Sequence, residues 1–211
     1  LMVEDASIMV YQQVAKQADD DIHFDLNQLL RLPNYQSYLY QWLKEFGFSA
    51  WQDIYDLVES RSGKQIFSDE YRLLKDRDSL ILSPINFANA KEEYLIEQNQ
   101  NEIKNPIKLT FSKASEMHLV SNTAIFVDAD KLQFPLLLRN WQQGDSFQPF
   151  GMNGKTKKVS KLFKDEKLSL LEKENTWLLC SNNQIVWILG IRQDERFKIE
   201  NTTQNILKIQ L

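Results

Sequence analysis

Trp177-Leu178-Leu179-Cys180-Ser181-Asn182-Asn183-Gln184-Ile185-Val186-Trp187-Ile188-Leu189 reads as two apolar runs hinged on a pair of asparagines. Each run has the length of a β-strand and is bounded by turn-forming residues. Asn tolerates the positive φ that a two-residue primed turn demands, so the spacing predicts a β-hairpin. Outward from it, Ile107 to Phe111, Thr123 to Val127, Leu136 to Trp141 and Ile206 to Gln210 are further candidate strands. One helical stretch interrupts them. Ser160 is its candidate N-cap, Leu162 and Phe163 lie on one side, and Lys161 and Lys164 share the exposed opposite side. Strands around one or two short helices make an α+β domain.

The first third has a different rhythm. Val3, Ala6, Ile8, Val10, Tyr11 and Val14 suggest an amphipathic helix running to about Ala18 and ending in Asp19-Asp20-Asp21. Asp25 can cap a short helix through Leu26, Leu29 and Leu30, which Pro33 stops. Tyr35, Tyr38, Leu39, Trp42, Leu43 and Phe46 recur at helical spacing up to Gly47, an aromatic stripe of the kind that forms core. Ser49 is the candidate cap of a helix carrying Ile54, Tyr55, Leu57 and Val58. Beyond Gly63, Gln65 to Phe67, Tyr71 to Lys75 and Leu80 to Leu82 look like short strands, the last two a hairpin. From Pro84 to about Lys104 the chain is rich in Asn, Gln and Glu, which suits an exposed connection or an edge strand around Tyr94-Leu95-Ile96. The boundary is placed there. The expected organisation is a helical domain with a β-hairpin over residues 1–85, then a β-rich mixed α+β domain with short helices over 86–211.

Composition bounds the function. Hydrophobic residues at 43% and charged ones at 26% exclude disorder. The longest apolar run, Phe134-Pro135-Leu136-Leu137-Leu138, is far short of the roughly 20 residues of a membrane span. The N-terminus lacks a signal peptide's cationic segment, and Leu1 opens as if in mid-helix, so a fragment of a longer protein is expected. The lone Cys180 suits a reducing cytoplasm and reads as a small buried hydrophobe. His23 and His118 have no His or Cys at ligand spacing, which argues against zinc.

Net charge is −4, but it is unevenly spread. Gly151 to Lys173 holds seven lysines against Asp165, Glu166 and Glu172, a local +4 that leaves −8 on the remaining chain. A basic island in an acidic chain can face phosphates, and a solvated lysine-rich helix accounts for the charge equally well. The island continues a longer segment, Arg139-Asn140-Trp141-Gln142-Gln143-Gly144-Asp145-Ser146-Phe147-Gln148-Pro149-Phe150-Gly151-Met152-Asn153-Gly154, followed by Lys157-Lys158-Val159-Ser160-Lys161-Leu162-Phe163-Lys164-Asp165. Gly144-Asp145 is a turn, Phe147 a buried anchor, and Pro149 to Gly154 a loop whose glycines let backbone approach a phosphate closely. Trp141, Phe147, Trp177 and Trp187 are expected in the core rather than as stacking platforms.

This segment resembles the signature of the C-terminal domain of the tRNA(Ile)-lysidine synthetase family, a pattern close to GDRFxPxGMxGxKKLSDFF. Ile185 to Ile199, containing Gly190-Ile191-Arg192-Gln193-Asp194-Glu195-Arg196-Phe197-Lys198, resembles that family's later block, WVxGxRxDxRFKV. The two blocks come in the family's order and at about its spacing. The helical first part is similar to the family's middle, substrate-recognition domain through more diffuse motifs. Two departures stand out: Ser146 replaces an arginine the family often has, and Lys161 replaces an acid.

The resemblance implies a ligase that attaches lysine to the first anticodon cytidine of an isoleucine tRNA, using ATP with magnesium in an N-terminal domain marked by SGGxDS. None of the six glycines of this chain are adjacent, so that loop is not in it, and no cofactor is expected to bind here. The implied partners are isoleucine tRNA and the enzyme's own catalytic domain, with a second copy of the chain left open and no membrane. The implied task is holding the tRNA, with the acceptor stem as the expected part. Candidate RNA contacts are Arg139, Lys155, Lys157, Lys158, Lys161, Lys164 and Lys167, followed by Arg192, Arg196 and Lys198. Pairing of Arg192 with Asp194 or Glu195 is the bland alternative for that residue. No paired-carboxylate, Ser/His or Cys/His arrangement argues for catalysis within the chain. The competing reading is an interaction or dimerisation module with no RNA contact.

Overall fold

The computed structural model describes residues 2–85, 93–115 and 121–211, with side chains of the first helix described from residue 8. His118 and the 86–92 part of the Asn/Gln/Glu-rich connection lie outside these residues. The chain divides into two units, Leu1–Ala88 and Asn89–Leu211.

In the first unit, α1 (Met2–Val14) leads into a hairpin of β1 (Ala15–Ala18) and β2 (Asp21–Asp25), then α2 (Leu26–Leu29), α3 (Tyr35–Leu43) and α4 (Trp51–Val58). β3 (Gln65–Phe67), β4 (Tyr71–Asp76) and β5 (Ser79–Pro84) complete an antiparallel sheet of order β1-β2-β5-β4-β3. The expected helix to Ala18 therefore stops at Val14. Asp19, at φ 52, turns the chain back, and β2 is zipped onto β5 with Phe24 opposite Leu80. Sheet pairing and burial of Phe24 outweigh the helix propensity of Ala-Lys-Gln-Ala, which is a weak preference of tenths of a kcal/mol per residue. Asp25 caps α2 as expected, accepting from the amides of Asn27 and Gln28. Ser49 does not cap α4, whose N-cap is Ala50 with no side-chain bond. The aromatic stripe is core: Trp42 stacks on Phe24 at 5.9 Å, and Leu39 and Leu43 are fully buried beside Ile54 and Leu73.

The second unit is layered. Its central sheet has the order β15 (Arg192–Gln193), β14 (Gln184–Ile188), β13 (Trp177–Ser181), β10 (Leu136–Asn140) and β6 (Glu93–Ile96), the expected edge strand. One face packs on a sheet of β7 (Glu102–Ile103), β8 (Leu109–Ala114), β16 (Ile206–Gln210) and β9 (Ala124–Asp128), sharing Leu138, Leu179, Trp187, Phe111, Val127 and Ile209. The other face meets α5 (Val159–Asp165) and the short pair β11 (Ser146–Phe147) and β12 (Lys157–Lys158) through Phe147, Leu162, Phe163, Leu178, Cys180 and Ile185. Cover on both faces is why β13 and β14 read as continuous apolar runs rather than alternating ones. Asn182 and Asn183 both hold positive φ, 45° and 62°, as the primed turn requires.

Phe147 and Trp187 are buried as expected, and Trp141 packs edge-on to Phe163 at 5.2 Å. Burial pushes the Cys180 thiol up to about 11. The folded protein should therefore resist a thiol reagent such as Ellman's at pH 8 and react fast once unfolded in guanidinium. Equal rates in the two states would contradict this placement.

Candidate nucleic-acid interface

The basic segment is shaped by an ion pair at its root. Arg139, at the end of β10, donates from Nη1 and Nη2 to Asp145 Oδ2 and Oδ1 at 2.9 and 2.8 Å, with side chains only 13% and 14% exposed. Asp145 also accepts the Gln142 amide, and Gly144 takes φ 103, so the turn is closed from inside. The Asp145 carbonyl then receives the Val159 amide. That bond explains why α5 starts with Lys158 as N-cap, two residues before the expected Ser160, which lies within the helix. Arg139 is thus committed to the fold and does not project outward as a contact.

β11 and β12 pair Phe147 with Lys157 and Ser146 with Lys158. They raise a loop, residues 148–154, in which Gly151, Asn153 and Gly154 all hold positive φ. Met152 of the loop, together with Lys155, Thr156, Lys157, Lys158, Lys161 and Asp165 past it, lines a concavity of about 440 Å³. Lys155, Lys158, Lys161 and Lys164 are exposed. Lys157 is different: its ammonium lies 2.8 Å from Asp165 and its side chain is only 17% exposed. Lys157, helped by Lys161 and Lys164, holds the Asp165 carboxyl below the usual carboxylate range. That pair persists above the ordinary carboxylate pKa and is lost as pH falls through the lowered one.

Lys167 closes α5 in the left-handed region at φ 56, with its amide on the Lys164 carbonyl and the Leu168 amide on that of Phe163. This is a Schellman ending in which lysine takes the usual glycine place.

The second block lies alongside the loop. Arg192 is half-exposed and stands 3.9 Å from Glu166, not against Asp194 or Glu195. Those carboxylates are taken: Arg196 grips Asp194 through Nε and Nη2, and Lys198 meets Glu195 at 2.7 Å. Asp194 itself is 0% exposed. The structure therefore brings Lys155, Lys157, Lys158 and Lys161 together around one cleft, with Lys164 and Lys167 further along α5, and turns Arg139, Arg196 and Lys198 onto internal acids. Sequence reasoning weighed Asp194 and Glu195 as partners of Arg192 only, and gave no acid to Arg139, Arg196 or Lys198. The signal was present in Asp194-Glu195-Arg196-Phe197-Lys198, where two carboxylates sit just before the cations that neutralise them.

Fold and cleft define a two-unit α+β protein whose second unit presents clustered lysines. Comparison with known proteins is specific. Residues 17–85 match the family model described as the TilS substrate binding domain, and residues 136–211 that described as the TilS substrate C-terminal domain. A tRNA(Ile)-lysidine synthase of Parabacteroides distasonis is 39% identical over 207 residues, covering 95% of this chain and 47% of the relative. That of Bacteroides thetaiotaomicron is 36% identical over 185 residues, covering 86% and 41%. A solved structure, described as the crystal structure of the TilS C-terminal domain, aligns over 56% of this chain and 95% of its own, with TM-score 0.44 at 20% identity. The chain belongs to the tRNA(Ile)-lysidine synthase (TilS) family and carries its substrate-binding and C-terminal domains. It spans about half the length of the curated relatives it matches.

The Arg139–Asp145 pair yields a stability prediction. Arg139→Met strands a largely buried carboxylate and should cost about 3–5 kcal/mol in urea unfolding. A loss below about 1 kcal/mol, the range of an exposed pair, would contradict the assignment.

Proposed function

We propose that this chain is the tRNA-holding part of a tRNA(Ile)-lysidine synthase, meeting the RNA through Lys155, Lys158, Lys161 and Lys164. The observation that carries the reading is the gathering of exposed lysines around one cleft, in a segment that belongs to the family's C-terminal domain. Duplex RNA is recognised largely by shape, phosphates and 2′-hydroxyls, and ammonium groups without base-reading partners suit that task. The acceptor stem is the proposed target, because a holding domain can grip the tRNA body while chemistry proceeds at the distant anticodon. Lys157 and Lys167 flank the face, and Arg192, half-exposed near Glu166, stands at its border.

In this reading the parent enzyme is an ATP-dependent ligase joining lysine to the wobble cytidine. ATP and magnesium would be held by a part of the relatives' length that this chain does not span. The glycines present support that division, since no adjacent pair offers the backbone amides of an SGGxDS loop. The chain by itself should neither hydrolyse ATP nor form lysidine. Among the described residues no helix is long and apolar enough to cross a membrane. The cytoplasm is the proposed location, where tRNA substrate and reduced Cys180 are both accommodated.

Filter binding of an isoleucine tRNA transcript over a salt series tests this. Four phosphate contacts predict a fall of about 3 log units in affinity per log unit of salt. Combined Lys155→Glu, Lys158→Glu and Lys161→Glu should abolish binding without changing the melting temperature. Asp165→Asn should strengthen it, because Lys157 then becomes available to a phosphate. Binding indifferent to the triple change would leave the reading without support and favour a scaffold role.

A further inference from the structure

The loop between Gln148 and Gly154 has three residues at positive φ and is nonetheless held tightly, by groups from the second block. Gln148 donates its amide to Asp194 Oδ2 at 2.9 Å, and Gly151 donates its amide to Glu195 Oε2 at 2.8 Å. Backbone bonds alternate with these: Glu195 N to Gln148 O at 2.7 Å, Phe150 N to Gln193 O at 2.9 Å, and a bridge of Pro149 with Asp194. Asp194 accepts four hydrogen bonds in all, three of them from the Arg196 amide and guanidinium. Glu195 is balanced by Lys198.

We propose that Asp194 and Glu195 are positioning residues for RNA binding, an acidic latch that fixes the loop leading into the lysines of β12 and α5, with Arg196 and Lys198 serving as their counterions rather than as RNA contacts. The inference rests on the RNA-holding reading above and reassigns Arg196 and Lys198, two of the ten candidates named from the sequence. The physical reason is preorganisation. A glycine-rich loop left free loses its conformational entropy on binding, whereas a loop already closed by carboxylate–amide bonds does not. The lysines then sit on a fixed base, and the charges that build the base cancel internally. Two carboxylates placed beneath a phosphate-facing loop are otherwise a liability for binding a polyanion. Burial of Asp194 and the pairing of both carboxylates remove it.

The latch has a consequence of opposite sign to simple electrostatics. Taking a negative charge away from a polyanion-binding face ordinarily strengthens binding. Here Glu195→Ala should weaken isoleucine tRNA transcript binding by the whole 211-residue chain about tenfold, roughly 1.4 kcal/mol. Amide hydrogen exchange at Phe150 and Gly151 should rise with it. Glu195→Gln, which keeps an oxygen for the Gly151 amide while losing the charge, should bind close to the parent, so the rescue separates hydrogen bonding from charge. Asp194→Asn should behave as Glu195→Ala does; because Asp194 is fully buried and its variant is prone to unfold, the Glu195 pair decides the outcome. Stronger or unchanged binding by Glu195→Ala overturns the latch, as does unchanged exchange at the loop. Failure of the RNA-holding reading itself shows elsewhere, as a parent chain whose binding ignores Lys155, Lys158 and Lys161.

Discussion

A buried carboxylate governs how the two signature segments meet. Asp194 has no solvent contact, so its charge must be met by protein, and its partners are the Arg196 guanidinium and the amides of Arg196 and Gln148. An ion stripped of water costs several kcal/mol unless geometry and hydrogen bonds restore it, which ties the two segments to a single arrangement. The Arg139–Asp145 pair does the same at the other end of the first segment. From these two anchors the chain rises as a held loop and continues into β12 and α5, which present the lysines. The two motifs are far apart in sequence but form one piece of machinery, the second holding the first.

The fold was legible wherever burial left a periodic trace. β13 and β14 with their Asn-Asn turn, the aromatic stripe of α3 and the edge strand β6 all lie where their residue patterns place them. Two misreadings, at β1 and at the start of α5, share one cause, a non-local bond overriding a local preference. Ala15 to Ala18 has helix-forming residues and becomes strand because β2 is fastened to β5. Ser160 is a good cap by type, yet α5 begins where the Asp145 carbonyl takes the Val159 amide. The three-layer packing of the second unit was not readable at all, since a run covered on both faces is silent about which side faces which partner.

At the site, residue type was informative and residue commitment was not. Lys155, Lys158, Lys161 and Lys164 are exposed around or beside one cleft, as a lysine-rich segment suggests. Arg139, Arg196 and Lys198 have the same chemistry and are spent on internal acids. Nothing in a list of cations separates the two groups, because the deciding carboxylates come from other strands and turns. Arginine's planar fork suits buried bidentate pairing, and the flexible, strongly hydrated ammonium of lysine suits a solvent-facing phosphate site. That difference sorts these residues correctly for all but Lys157, Lys198 and Arg192.

Charge distribution then gives the face its direction. The acidic remainder of the chain is unfavourable to a polyanion, which is why the proposed approach is by way of the lysine cleft even though net charge is −4. The most direct measurement is lysine acetylation read by mass spectrometry, with and without isoleucine tRNA transcript. Protection concentrated at Lys155, Lys158, Lys161 and Lys164, with Lys108 labelled equally in both samples, is the predicted result. Uniform labelling across all five lysines, or protection away from the cleft, would contradict the account.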